Sequence, residues 1–257
     1  MAKKYFSYYS KFICILLLVL FLNSCASTPP APPPQIPQNY VSPPTPAYII
    51  RSNVVHIVAP GETFWRLSKM YDVSIDDIAK TNNLDTSSAI EIGQKLIIPN
   101  AAPIKPVIPL YPSTKWRYII IHHSATDEGS SLYFNIAHKK RGFDNGVGYH
   151  FVIDNGTREK IDGQIEATPR WIKQMNGAHC KASEMNYKAI GICLVGNFNI
   201  EEVNKEQMDS LVYLVRVLKD YYKIPSRNIL GHGQVRAART DCPGKLFPWT
   251  EFKSRIK

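Results

Sequence analysis

Proline decides how this chain can be divided. Of its 19 prolines, nine lie between Pro29 and Pro46 and five between Pro99 and Pro112. Each fixes φ and removes a backbone donor, so neither stretch suits a helix interior or a central strand. Runs this rich read as extended spacers rather than packed elements. They divide the 257 residues into a leader over 1–24, a tether over 25–52, a small module over 53–99, a linker over 100–114 and a larger domain over 115–257. The length suits one ordinary domain plus a small one.

The leader reads as a targeting segment. Lys3, Lys4 and Lys11 make a positive start, Phe12 to Leu22 form an apolar run too short to span a bilayer comfortably, and "LNSC" follows. That tetrad resembles a lipobox, which implies cleavage before Cys25 and acylation of its sulfur. Several acyl chains anchor firmly where one is marginal. A plain secretory signal or an uncleaved anchor remains open. Ala26, rather than aspartate, implies by likeness to sorting rules the outer membrane, facing the periplasm; the alternative is the outer face of the cytoplasmic membrane. Loss of the leader removes three lysines and no acid, taking the formal charge from +10 to +7. For an exported protein that balance points to carboxylate-bearing cell wall and away from nucleic acid. Beyond Cys14 and Cys25 stand Cys180, Cys193 and Cys242. Export permits disulfides, and an odd number leaves at least one cysteine free or ligated. A monomer is expected.

The module, Val54 to Pro99, spells strand, helix, helix, strand. Val54 to Val58 form an apolar run broken at Gly61; Phe64, Leu67, Ser68 and Tyr71 keep helical spacing; Ser74 and Asp77 make a capping-box-like start; "NNL" stops the second helix. The segment resembles a lysin motif (LysM) along its whole length, through "APGETFWRLS", "IAKTNNL" and "IGQKLIIP". The resemblance implies a shallow groove for N-acetylglucosamine-containing glycans between two loops, with Gly61, Thr63 and Asn83 as contacts. As plain structure, Asn82 and Asn83 are equally well a helix stop and turn.

In the larger domain, Tyr118 to Ile121 read as a buried strand, Leu132 to Lys140 as a helix, "VGYHFVIDNGTREKID" as a hairpin turning at Asn155-Gly156, and Ala189 to Gly196 as a buried strand. Asn204 caps a helix striped with Met208, Leu211, Val212, Val215 and Leu218. The sum is an α/β domain with a mixed central sheet flanked by helices, preceded by the small βααβ module. Strand alternation sends His122 and His123 to opposite faces. His122, His232 and Cys242 offer two imidazoles and a thiolate. Three protein ligands with a fourth position open suit a catalytic zinc site. Two strand-end histidines and a buried cysteine are the bland alternative.

The pieces "IIIHHSAT", "GVGYHFVIDNGT", "GAHC", "AIGICLVGNF", "QMDSLVYLV", "ILGHGQV" and "TDCPG", in that order, resemble the zinc-dependent N-acetylmuramoyl-L-alanine amidases related to phage amidase-type lysozymes and peptidoglycan recognition proteins. The resemblance implies one zinc on His122, His232 and Cys242, with Tyr149 and Thr240 in catalysis and His179 lining the substrate cleft. It implies that His123 packs or supports the ligand from behind, and alternation from Tyr149 makes His150 structural. Another amidase branch carries an acidic base where this chain has Cys193, which puts a carboxylate base in doubt. His56 and His138 belong to no motif and read as surface or module residues. The implied activity is hydrolysis, by a zinc-activated water, of the amide between N-acetylmuramic acid and L-alanine of the stem peptide. A non-catalytic peptidoglycan binder and a zinc peptidase are the competing classes.

Overall fold

The computed structural model describes residues 39–41 and 50–257. The leader and Cys25 lie outside the described residues. A short strand, β1 (Asn39–Val41), precedes the module, which runs β2 (Ser52–Ile57), α1 (Phe64–Tyr71), α2 (Ile75–Thr81), β3 (Lys95–Ala101), with β2 and β3 antiparallel. Thr63 caps α1 by accepting the Arg66 N–H at 3.2 Å. Ser74 caps α2 by accepting the Asp77 N–H at 3.0 Å and donates to the Asp77 carboxylate at 2.6 Å. Asn82 ends α2: its amide donates to the Ile78 and Ile97 carbonyls, and its oxygen accepts the Ile97 N–H. Asn82 is thus both a helix stop and a tie to β3.

Residues 100–114, expected as a spacer, are instead a junction. The Ala102 and Lys105 N–H groups donate back to the Tyr71 and Met70 carbonyls at 2.9 and 3.0 Å. Next, β4 (Ile108–Leu110) pairs antiparallel with β1. Val107 is buried in the core of the module, and its neighbour Ile108 in the core of the large domain. Alternation along extended chain sends one side chain each way, so consecutive residues root in the two cores. The Trp171 indole N–H donates to the Pro109 carbonyl at 2.7 Å, and the Arg66 guanidinium to the Val107 carbonyl at 2.9 Å. Proline tolerates this path because a strand at a sheet edge can spare donors.

The large domain continues as β5 (Tyr118–His123), α3 (Ser131–Lys140), β6 (Phe151–Asn155), β7 (Asp162–Ala167), α4 (Pro169–Ile172), α5 (Met185–Lys188), β8 (Ala189–Leu194), α6 (Lys205–Tyr222), β9 (Ile229–Gly231) and α7 (Trp249–Arg255). The strands form a five-stranded sheet in the order β7-β6-β8-β5-β9. Only the β7–β6 pairing is antiparallel, so the sheet is mixed, as expected. Asn204 caps α6 by accepting the Gln207 N–H at 2.8 Å. Helix α6 lays Met208, Leu211, Leu214, Val215 and Leu218 on one sheet face, against Ile119, Ile121, Ile153, Ile190 and Ile192. The other face of the same strands carries Ile120, His122, Val152, Gly191 and Cys193.

Asn155 and Gly156 do not close a two-residue hairpin. β7 starts only at Asp162, paired with Asn155. The intervening loop folds inward so that Lys160 reaches Glu166 at 2.9 Å, both side chains being almost inaccessible. Glu166 also accepts the Ser131 N–H at 2.5 Å. Beside them, burial and then the Glu166 charge hold Asp154 well above the usual carboxylate range.

The module leans on this region. Gly61 has space for a Cβ only 3.5 Å from Ile172 Cγ1 and from the Pro169 nitrogen. The first of the two loops expected to hold glycan therefore faces the large domain at Gly61, while Thr63 is occupied as a helix cap. Asn83, by contrast, is exposed, in a left-handed turn with φ 53°. His56, expected at the surface or in the module, is a buried module residue: its Nε2 pairs with Glu62 at 2.6 Å and its Nδ1 with the Tyr71 hydroxyl at 2.8 Å. Burial alone would raise the Glu62 carboxyl, but His56, Lys160 and the Ala59 N–H outweigh it and hold the group below its ordinary 4.5. A depressed carboxylate contributes stability above its unfolded pKa and loses that contribution as pH falls through the folded one. Glu62→Gln should therefore cost about 1–3 kcal/mol in urea unfolding at neutral pH. The gap from wild type should narrow as pH falls below 4.5. A gap indifferent to acid would show that the charge contributes nothing.

Candidate metal centre

The parallel register lines up what the site needs. His122, one residue before the end of β5, takes the face opposite α6, beside Cys193 of β8. β9 is the other neighbour of β5, and His232 follows it directly. Cys242 is stitched to the same place because its carbonyl accepts the Gly233 N–H at 2.7 Å. Gly233 is needed there, since a Cβ would meet the Thr240 carbonyl. As a result one ligand atom each from His122, His232 and Cys242 lies within 4.8 Å of the others. His122 Nδ1 is 3.6 Å from Cys242 Sγ. A tetrahedral divalent site, with metal–sulfur near 2.3 Å and metal–nitrogen near 2.0 Å, separates such ligands by about 3.6 Å. The residues present therefore fit a metal ion.

The electrostatics agree. Burial, and after it His179 and His232, push His122 well below its usual pKa, so both histidines can offer lone pairs at neutral pH. Burial pushes the Cys242 thiol up to about 12. Ionising it there is costly without a cation to offset the charge. Cys180, Cys193 and Cys242 are all free thiols.

His123 takes the opposite face, as alternation requires: its Nδ1 accepts the Phe198 N–H at 3.2 Å. His150 is structural too, with Nδ1 accepting the Gly191 N–H at 2.9 Å and Nε2 facing the Met175 carbonyl at 3.1 Å. The Tyr149 ring stands 5.2 Å from that of His122, and its hydroxyl meets the Cys193 thiol. Thr240 is exposed and accepts the Cys242 N–H at 3.1 Å.

Residues 112–245 match the family model described as N-acetylmuramoyl-L-alanine amidase. The chain belongs to this amidase family. Residues 56–99 match the LysM domain. Peptidoglycan-recognition protein LB of Drosophila melanogaster is 34% identical over 152 residues, covering 52% of this chain and 60% of that protein. The probable endopeptidase p60 of Listeria monocytogenes is 51% identical over 47 residues, 18% of this chain and 10% of that protein. The chain thus spans less than two thirds of either relative. Among solved structures, the N-acetylmuramoyl-L-alanine amidase LysC from Clostridium intestinale is 35% identical, with 56% of this chain and 88% of that chain covered and a TM-score of 0.46.

One histidine of the amidase-family domain differs from expectation. His138 is buried and not a surface residue; its Nδ1 accepts the Gly148 N–H at 3.0 Å, beside Tyr149. It props the segment that carries Tyr149, and its place in the last turn of α3, ten residues upstream, was the only signal. His179, expected to line the substrate cleft, is half-buried, with Nδ1 3.0 Å from His122 Nε2 and Nε2 3.4 Å from the Ala189 carbonyl. Both nitrogens already have protein partners. Burial, against the Ala189 bond, takes its pKa down to about 3.

Proposed function

We propose that this chain is a zinc-dependent peptidoglycan hydrolase that cleaves the amide between N-acetylmuramic acid and L-alanine of the stem peptide. The observation that carries the reading is the meeting of His122, His232 and Cys242 at the strand ends of an amidase-family domain. Two imidazoles and one thiolate without a redox motif suit zinc. Bound there, zinc would supply Lewis acidity to the scissile carbonyl and acidify a water.

The remaining chemistry belongs to the chain's own groups. Burial, and then Cys193, hold the Tyr149 hydroxyl well above its ordinary 10, so it stays protonated and can turn its proton from the Cys193 thiol to a developing oxyanion. Thr240 already accepts the Cys242 N–H, which leaves its O–H proton to donate elsewhere. Beside the scissile carbonyl, these two donors would stabilise an oxyanion where charge develops. Tyr149→Phe should lower kcat about 10²–10³-fold with zinc content unchanged; unaltered turnover would remove Tyr149 from the reaction. Mass spectrometry of digested sacculi tests the bond: free stem peptides beginning with L-alanine support it, and cross-bridge fragments or intact wall refute it.

The LysM domain adds a glycan contact, with Asn83 its exposed candidate. The protein works from the outer membrane, facing the periplasm, held by acyl chains on Cys25. The "LNSC" tetrad supports that location. Lipid labelling that survives Cys25→Ser would contradict it.

A further inference from the structure

We propose that His179 is the positioning residue of the metal centre: it accepts the Nε2 proton of His122 and so keeps the His122 Nδ1 lone pair turned to the metal. This rests on the metal reading above. The two nitrogens of His122 have different neighbours. Nδ1 lies 3.6 Å from Cys242 Sγ, and Nε2 lies 3.0 Å from His179 Nδ1. A ligating imidazole offers a lone pair from one nitrogen and keeps its proton on the other, and that N–H needs an acceptor. Here the acceptor is His179 Nδ1. His179 then carries its own proton on Nε2, which faces the Ala189 carbonyl at 3.4 Å. The donors run one way, from His122 to His179 to the backbone of β8, and both tautomers follow.

The fold is cut to hold this ring. Asn186 Oδ1 accepts the His179 and Cys180 N–H groups, each at 2.8 Å. Gly191 stands in the middle of β8, where glycine ordinarily weakens a strand. A Cβ at Gly191, or at Gly177, would strike the His179 ring. The ring occupies the space those two glycines leave. His150 backs it at a ring separation of 5.6 Å and does not compete for His122, because its own nitrogens are engaged by Gly191 and Met175.

The test separates the acceptor from the bulk. His179→Phe keeps a ring without an acceptor, while His179→Asn places Oδ1 near the lost Nδ1. Zinc dissociation constants of the purified protein come from chelator competition, and the cobalt-substituted protein reports ligand geometry by its visible absorption. His179→Phe should weaken zinc binding about 10–100-fold and shift the cobalt bands, and His179→Asn should recover most of the loss. Gly191→Ala, which wedges the ring aside with His179 intact, should weaken zinc to a similar degree and serves if the Phe variant does not fold. Phe and Ala variants that bind zinc as tightly as wild type, with unchanged cobalt spectra, would overturn the assignment. A wild-type protein that takes up no metal would overturn the metal reading itself and this inference with it.

Discussion

Cys242→Ser should strip the protein of its metal and lower its rate on isolated sacculi at least about a thousandfold, the equivalent of several kcal/mol of transition-state stabilisation. Serine is a poor ligand where a thiolate was required, because its hydroxyl does not ionise at neutral pH. The fold should survive: the change is one atom in size, the Cys242 carbonyl still accepts the Gly233 N–H, and Thr240 still holds the Cys242 N–H. Metal analysis, circular dichroism and release of stem peptides, measured together, distinguish a lost ligand from a lost fold. A serine variant with metal and rate intact would mean that the His122, His232 and Cys242 cluster is only packing.

A chain beginning at Pro112, where the family match begins, should melt at least about 10 °C below one beginning at Lys105. The longer chain keeps β4. Ile108 and Leu110 are buried among Trp116, Trp171 and the strands of the sheet, and each such side chain contributes about 1.5–3 kcal/mol. The shorter chain also leaves the buried Trp171 N–H without the Pro109 carbonyl, at a cost of about 1–3 kcal/mol. The Tyr222 hydroxyl loses the Tyr111 carbonyl as well, which it reaches at 2.9 Å. Equal melting of the two chains would restore residues 100–114 to the status of a spacer. Both lack the module, so the comparison isolates the strand.

What the sequence disclosed depended on range. Ser74 with Asp77, Asn204 with Gln207, and the opposed faces of His122 and His123 are local, set by caps and by a period of two, and they stand as expected. Chemistry alone only nominated the candidate ligands, and motif resemblance singled them out, since 120 residues separate His122 from Cys242 and no local pattern ties them. The junction was obscured because its prolines outnumber Val107, Ile108 and Leu110, although those three are what the two cores take up. The inward turn of Lys160 could not be read either: nothing near it in the chain announces a buried partner, and Glu166 lies beyond the loop that brings the two together. His138 and His179 are acceptors for groups that other elements deliver, so their employment is a property of topology and not of neighbouring letters.

Under the function proposed above, the seam at Val107 and Ile108 bears on how the protein would travel over peptidoglycan. Two sites joined by a slack cord can grip repeating units at whatever interval presents itself. Two sites set in one piece sample only intervals that match their own separation, as a gauge does. With consecutive side chains rooted in separate cores, and Arg66 clasping the Val107 carbonyl between them, the module and the proposed catalytic face would advance together. The period of the glycan, and the angle at which its peptides leave it, then decide which stems come within reach of a strand already held.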